Sequence, residues 1–211
     1  MADAFLFLHI VAGVTSLLAA GAALGCAKGG AWHRRAGLAY VLAMLVVTLT
    51  TFALVLVRPN LFLFVIAIFS FYLVFTGWRA GAGRDGRPRW PDHLAGAAMA
   101  LTGAAMLAVG ALRLFWPGGA EPVILLVFGS IGLTLALSDW RDWRRGPITG
   151  TARIARHLTR MVAGSIVTIT AAVVVNLSAL PPLVVWLGPT VLITPLIVWW
   201  NARILRPAQP F

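Results

Sequence analysis

Apolar residues run through this chain in seven long blocks, each broken by a short polar or Gly/Pro-rich segment. The blocks lie near 5–27, 35–57, 61–80, 93–115, 121–138, 156–179 and 183–202. Each is close to the ~20 residues needed to cross a hydrocarbon core of about 30 Å. The breaks carry chemistry that stops a helix. Lys28-Gly29-Gly30 follows the first block, and Arg58-Pro59-Asn60 separates the second from the third. Gly81 to Pro91 is rich in Gly, Arg and Pro, Trp116-Pro117-Gly118-Gly119 closes the fourth block, and Pro181-Pro182 precedes the last. Glycine supplies turn dihedrals and proline lacks a backbone donor, so such clusters end helices. The pattern predicts an all-α fold: one transmembrane domain, residues 1–211, built as a bundle of seven helices.

Composition agrees with that reading. Of the 211 residues, 60% are hydrophobic and 11% charged, where soluble domains carry about 25% charged residues. A water-soluble fold cannot hide so much apolar surface, so the solvent is lipid. The first block follows no basic segment and runs too long for a signal peptide, which predicts a retained first helix. A single cysteine, Cys26, excludes an intrachain disulfide.

The formal charge of +11 changes the picture through its placement. With seven spans, fifteen of the seventeen Lys and Arg fall at one face, and only Arg58 and Arg113 at the other. Positive charge in short loops marks the cytoplasmic side, which predicts an N-out, C-in protein of the bacterial inner membrane. The basic residues flank apolar spans and form no stripe on a soluble surface, so nucleic acid is not the partner. The expected partners are the bilayer and anionic lipids at the cytoplasmic face. Trp32, Trp78, Trp90, Trp140 and Trp143 fall at the same expected interface, where an indole is half apolar and half wet. Gly21, Gly25 and Gly29 recur every four residues, a spacing that lets a second helix approach closely. Pro189 and Pro195 each remove an internal hydrogen bond and are expected to kink the seventh helix.

The four histidines are the most informative polar residues. His33, His93 and His157 open helices two, four and six at the expected cytoplasmic face, and His9 lies one turn into the first helix, near the outer face. As interfacial residues they would cap helices or touch lipid headgroups. Three sharper readings compete with that one. In the first, His33 and His157 are the axial ligands of heme b. Gly37 and Gly164 would clear room for the porphyrin, and Arg34, Arg35, Arg156 and Arg160 would pair with its propionates. In the second, His33, His93 and His157 hold a zinc ion that activates water, with Asp92, Asp139 or Asp142 assisting, as in a membrane hydrolase. The paired His-x-x-x-His spacing on one helix is missing. In the third, His, Arg and Trp side chains line a quinone or headgroup site, and the run Asp139-Trp140-Arg141-Asp142-Trp143-Arg144-Arg145 supplies suitable groups. A non-catalytic accessory subunit of a larger membrane complex is the remaining class. No Asp, Glu, Lys or Arg falls in the middle of an expected span, which disfavours ion-coupled transport. No phosphate-binding Gly loop or Gly-x-Ser-x-Gly elbow occurs.

Several segments together resemble a bacterial family of predicted membrane proteins defined by a domain of unknown function. They are His9 to Gly13, His33-Arg34-Arg35-Ala36-Gly37-Leu38-Ala39-Tyr40, Arg156-His157-Leu158-Thr159-Arg160-Met161, and Trp186-Leu187-Gly188-Pro189 with Pro195. The resemblance covers nearly the whole chain. It implies a polytopic bacterial membrane protein and no particular activity. It also implies that His9, His33 and His157 are functional, His93 less so.

Overall fold

The structure, a computed structural model, describes residues 2–116 and 119–206. Pro117 and Gly118, in the expected break after the fourth span, lie outside the described residues. Seven α-helices follow one another: α1 (Ala2–Gly25), α2 (Ala31–Val57), α3 (Leu61–Ala82), α4 (Trp90–Arg113), α5 (Glu121–Arg145), α6 (Gly150–Asn176) and α7 (Pro182–Ile204). All seven are long and apolar enough to cross a membrane. At about 1.5 Å per residue, helices of 22–27 residues reach roughly 33–40 Å, more than the ~30 Å core requires. The chain is thus an all-helical, multi-pass membrane protein.

Six helices, all but α1, are longer at the basic end than the apolar blocks predicted, α5 and α6 most. Helix α4 starts at Trp90, three residues early, because Asp92 caps it: its carboxylate accepts from the backbone N–H of Arg89 at 2.8 Å. Helix α5 continues seven residues past 138, through the Asp/Trp/Arg run, to a stop at Gly146. Arg144 and Arg145 in its last turn suit the negative end of the helix dipole. Helix α6 starts at Gly150, six residues before the expected 156. Polarity marked these segments as loop in the sequence, but the backbone there is helical. Helix α7 runs through Pro189 and Pro195 as a single element.

Helix α3 is the central element and packs on α2, α4 and α6. Its Phe69, Tyr72 and Leu73 meet Met99 and Met106 of α4 and Ile124, Leu125 and Phe128 of α5 in the main apolar core. The Phe69 and Phe128 rings stack with centroids 5.4 Å apart. Helices α1 and α7 are the least buried and stand at the periphery.

Glycine sets the closest helix approaches, though not at the repeat that spacing suggested. A Cβ on Gly21, Gly25 or Gly29 would meet nothing within 4 Å. The close contacts form elsewhere. A Cβ on Gly129 of α5 would lie 2.9 Å from the Met106 Cβ and 3.0 Å from the Gly103 carbonyl oxygen of α4. Gly77 and Gly81 do the same for α3 against α6. Spacing alone cannot tell a glycine facing a helix from one facing lipid. Gly129→Ala is therefore expected to force α4 and α5 apart and cost about 1–3 kcal/mol, while Gly21→Ala leaves stability unchanged or slightly raised. Thermal unfolding in detergent checks this; equal midpoints for the two variants would contradict the packing.

Candidate functional site

One end of the bundle collects the polar chemistry. There the C-terminal ends of α1, α3, α5 and α7 meet the N-terminal ends of α2, α4 and α6, as contacts from His33 to Ala23, Arg79 to Asp92, Arg156 to Asp139 and Asn201 to Thr159 show. The basic residues predicted at a common face all belong to this end; Arg58 and Arg113 belong to the other.

Helix α6 presents two polar faces near its start. Arg156 and Arg160, four residues apart and so neighbours on the helix surface, point at α5. Both guanidiniums donate to one oxygen of Asp139, and Arg160 also donates to the Leu135 carbonyl at 3.1 Å. The other Asp139 oxygen accepts from the Tyr72 hydroxyl of α3 at 2.6 Å. The Arg160 guanidinium lies over the Tyr72 ring, 5.0 Å from its centroid. Asp139 and Arg160 are only 1% and 3% exposed. A buried carboxylate needs such company, because an unpaired charge out of water costs several kcal/mol. Arg160, expected beside a cofactor, is thus spent on Asp139, and so largely is Arg156. Asp139, Arg156 and Arg160 thus lie inside helices toward the basic end, with Asp139 and Arg160 buried between α3, α5 and α6 and Arg156 half-buried.

The second face of α6 carries His157. Its ring lies in the notch left by Gly81, where a Cβ would come within 2.7 Å of Nδ1, and Nδ1 donates to the Gly77 carbonyl at 2.8 Å. Across from it stands His33 of α2, whose Nδ1 donates to the Ala23 carbonyl of α1 at 2.9 Å. A carbonyl only accepts, so each Nδ1 carries the proton. In the neutral rings both Nε2 atoms then hold free lone pairs. The two ring centroids are 6.2 Å apart and the planes cross at 80°. Helices α2 and α6 do not pack directly, since no Cα of one lies within 8 Å of a Cα of the other. Side chains bridge them instead: His33 to His157, and Tyr40, whose hydroxyl is 3.3 Å from that of Thr168.

The other predicted site residues lie apart. His93 is exposed and its ring meets Trp143 of α5 edge-on, with centroids 4.7 Å apart. His9 lies toward the opposite end of the bundle, with Nδ1 3.0 Å from the Thr50 hydroxyl. Arg34 is exposed and donates to the Gly29 carbonyl at 2.7 Å. Gly37 opens on space, with nothing within 4 Å of a built Cβ, whereas Gly164 is filled by Val74 and the Tyr40 hydroxyl. Among the described residues no group of three or more His, Cys, Asp or Glu side chains is placed to hold a metal ion. His33 and His157 are thus the pair that the fold brings together.

Tyr72 and Gly77 escaped the sequence reading, and Gly81, expected to open the break after the third span, lies inside α3. Gly77 and Gly81 are four residues apart, the same small-residue spacing that drew notice in α1. No family model matches the chain, and neither a curated protein nor a solved structure matches it. Geometry alone carries the functional reading.

The Asp139 cluster makes a stability statement that can be measured. Asp139→Ala leaves the buried Arg160 without a counter-charge and Arg156 with Asp142 alone, and is expected to cost about 3–5 kcal/mol. Tyr72→Phe removes one hydrogen bond to a charged acceptor and is expected to cost less, about 1.5–3 kcal/mol. Adding Arg160→Met to Asp139→Ala should restore part of the loss. Thermal unfolding of the three variants in detergent checks the order, and an Asp139→Ala midpoint equal to wild type would refute it.

Proposed function

We propose that this chain is a heme-b-binding redox protein of the bacterial inner membrane, belonging to the family its α2 and α6 motifs resemble, with His33 and His157 as axial ligands. The observation that carries the reading is the spacing and tautomer of these two rings. A metal–imidazole bond is about 2 Å long, and adding a ring radius at each side puts opposed ligand centroids about 6 Å apart. The observed separation is 6.2 Å. Ligating histidines usually donate their second ring N–H to a carboxylate, carbonyl or water, which fixes ring orientation and raises ligand basicity. Both rings have that arrangement here, to Ala23 and Gly77. The two resembling motifs also converge: His33 and Tyr40 come from one, and His157, which closes the gap across from His33, comes from the other.

Bound heme would supply one-electron chemistry, cycling between ferric and ferrous iron, with a potential set by the axial pair and its surroundings. The chain's own part is to keep both rings from turning, each through an Nδ1–H donated to a backbone carbonyl. The positive-inside rule places this site at the cytoplasmic face. A quinone or another subunit of a membrane complex would exchange the electron. A zinc-dependent hydrolase is less well supported, because His93 stands on Trp143 and supplies no third ligand beside the pair.

The test is the absorbance spectrum of detergent-purified protein. A Soret band with split visible bands on reduction is expected for wild type. It should be lost in His33→Ala and in His157→Ala, and retained in His93→Ala. Stoichiometric zinc in colourless protein would favour the hydrolase instead. Colourless, metal-free protein with co-purifying subunits would leave the accessory role.

A further inference from the structure

A second site lies beside the Asp139 cluster. The Gly83–Arg89 loop and the α5–α6 loop are tied together by the Ile148 N–H, which donates to the Gly86 carbonyl at 3.0 Å. Gly86 has φ +63, and a Cβ there would fall 2.1 Å from the Ile148 oxygen, so only glycine fits. Under this tie is an open cleft of about 50 Å³ at the basic end. On the same volume measure a water needs about 10–15 Å³, so the cleft has room for a group of a few heavy atoms and not for a sugar or a base.

Its charge is unbalanced. Arg79, Arg87, Arg153 and Arg156 line it, with Asp92 and Asp139. Both carboxylates are already saturated. Asp92 accepts from Arg79 Nε and Nη2 at 2.8 Å each and from the Arg89 backbone. Asp139 accepts from Tyr72, Arg156 and Arg160. Asp142 lies 3.6 Å from Arg156. Counting Arg160, five guanidiniums face three carboxylates, which leaves two positive charges over. They belong to Arg153 and Arg87. Arg153 donates only to the neutral carbonyls of Ala80 and Gly81, at 2.9 and 3.0 Å, and Arg87 makes no ion pair among the described residues. Arg79 and Arg156 have side chains only 20% and 15% exposed and are the sheltered part of the lining, while Arg87 is exposed.

We propose that this cleft binds a phosphate group, held by Arg87 and Arg153 and oriented by the fixed guanidiniums of Arg79 and Arg156. Guanidinium forks match tetrahedral oxyanions geometrically. The cleft's size admits the phosphate and excludes the bulk of its bearer. That bearer is either an anionic lipid, whose phosphate lies at the depth of a bundle end, or free inorganic phosphate. The site uses no histidine and stands whether or not heme binds.

The experiment uses the full chain in two arms. Inorganic phosphate is titrated into detergent-solubilised protein by calorimetry. Retained phosphatidylglycerol is counted by native mass spectrometry after release from nanodiscs of equal phosphatidylglycerol and phosphatidylcholine. Arg87→Gln/Arg153→Gln is compared with Arg84→Gln/Arg145→Gln, which removes the same charge from the same end outside the cleft. Arg87→Gln alone, at an exposed side chain without partners, guards against misfolding. Saturable phosphate binding that weakens roughly tenfold or more in the cleft variants, and less than about twofold in the control pair, supports free phosphate. Lipid retention lost only in the cleft variants supports the headgroup. Equal losses in cleft and control variants would reduce the effect to the general basicity of this face and overturn the site. So would wild-type protein that binds neither probe.

Discussion

The ion cluster at Asp139 is the constraint around which the polar end of this protein is arranged. Two arginines of α6 turn between helices, Arg160 fully buried and Arg156 half-buried, and buried charge is tolerated only in company. Asp139 of α5 supplies the counter-charge, and Tyr72 of α3 supplies the hydrogen bond that fills the remaining carboxylate oxygen. The cluster does not strengthen the bundle much over an apolar alternative, since buried pairs rarely do. What it supplies is register, because the Asp139 carboxylate of α5 meets both arginines of α6 and the Tyr72 hydroxyl of α3 in one alignment of their turns.

Register at Asp139 sets the geometry at His157. The histidine follows Arg156 in sequence, so the face of α6 that turns to α5 decides the face that turns to α3 and α2. Gly77 and Gly81 then let the ring sink against α3, and the Gly77 carbonyl fixes its tautomer. His33 is fixed independently by the Ala23 carbonyl, in the last turn of α1. The paired imidazoles are thus held by backbone on both sides, with neither relying on a flexible side chain. Backbone anchoring of this sort keeps ligand rings oriented before anything binds. The phosphate cleft lies beside the same cluster and shares Arg156 with it, so both sites depend on the same buried carboxylate.

Much of this was legible in the chain. Seven apolar blocks gave seven helices, because a helix satisfies its own backbone in lipid and needs about 20 apolar residues per crossing, twice what a barrel strand needs. The gathering of arginine at one end followed from the same count. His33 and His157 could be paired by depth, since both open helices at that end. Depth could not separate them from His93, which opens its helix equally but turns to Trp143. Rotation about a helix axis depends on which neighbour it meets, and apolar stripes are uninformative when lipid and core are both apolar. For the same reason Gly21 and Gly25 drew notice as helix contacts while Gly77 did not and Gly81 read as part of a helix break. Asp139 looked like the start of a loop because polarity usually ends a span, yet buried pairing let α5 carry it as helix.

The central claim is that His33 and His157 face one another as ligands, with their planes nearly perpendicular. Electron paramagnetic resonance of the oxidised, purified protein tests it most directly. Two imidazoles on ferric heme give a low-spin centre, and near-perpendicular planes leave its signal strongly anisotropic. A low-spin, highly anisotropic ferric signal is the expected result. A high-spin ferric signal, or protein that carries no heme iron, would contradict the pairing as a ligand site.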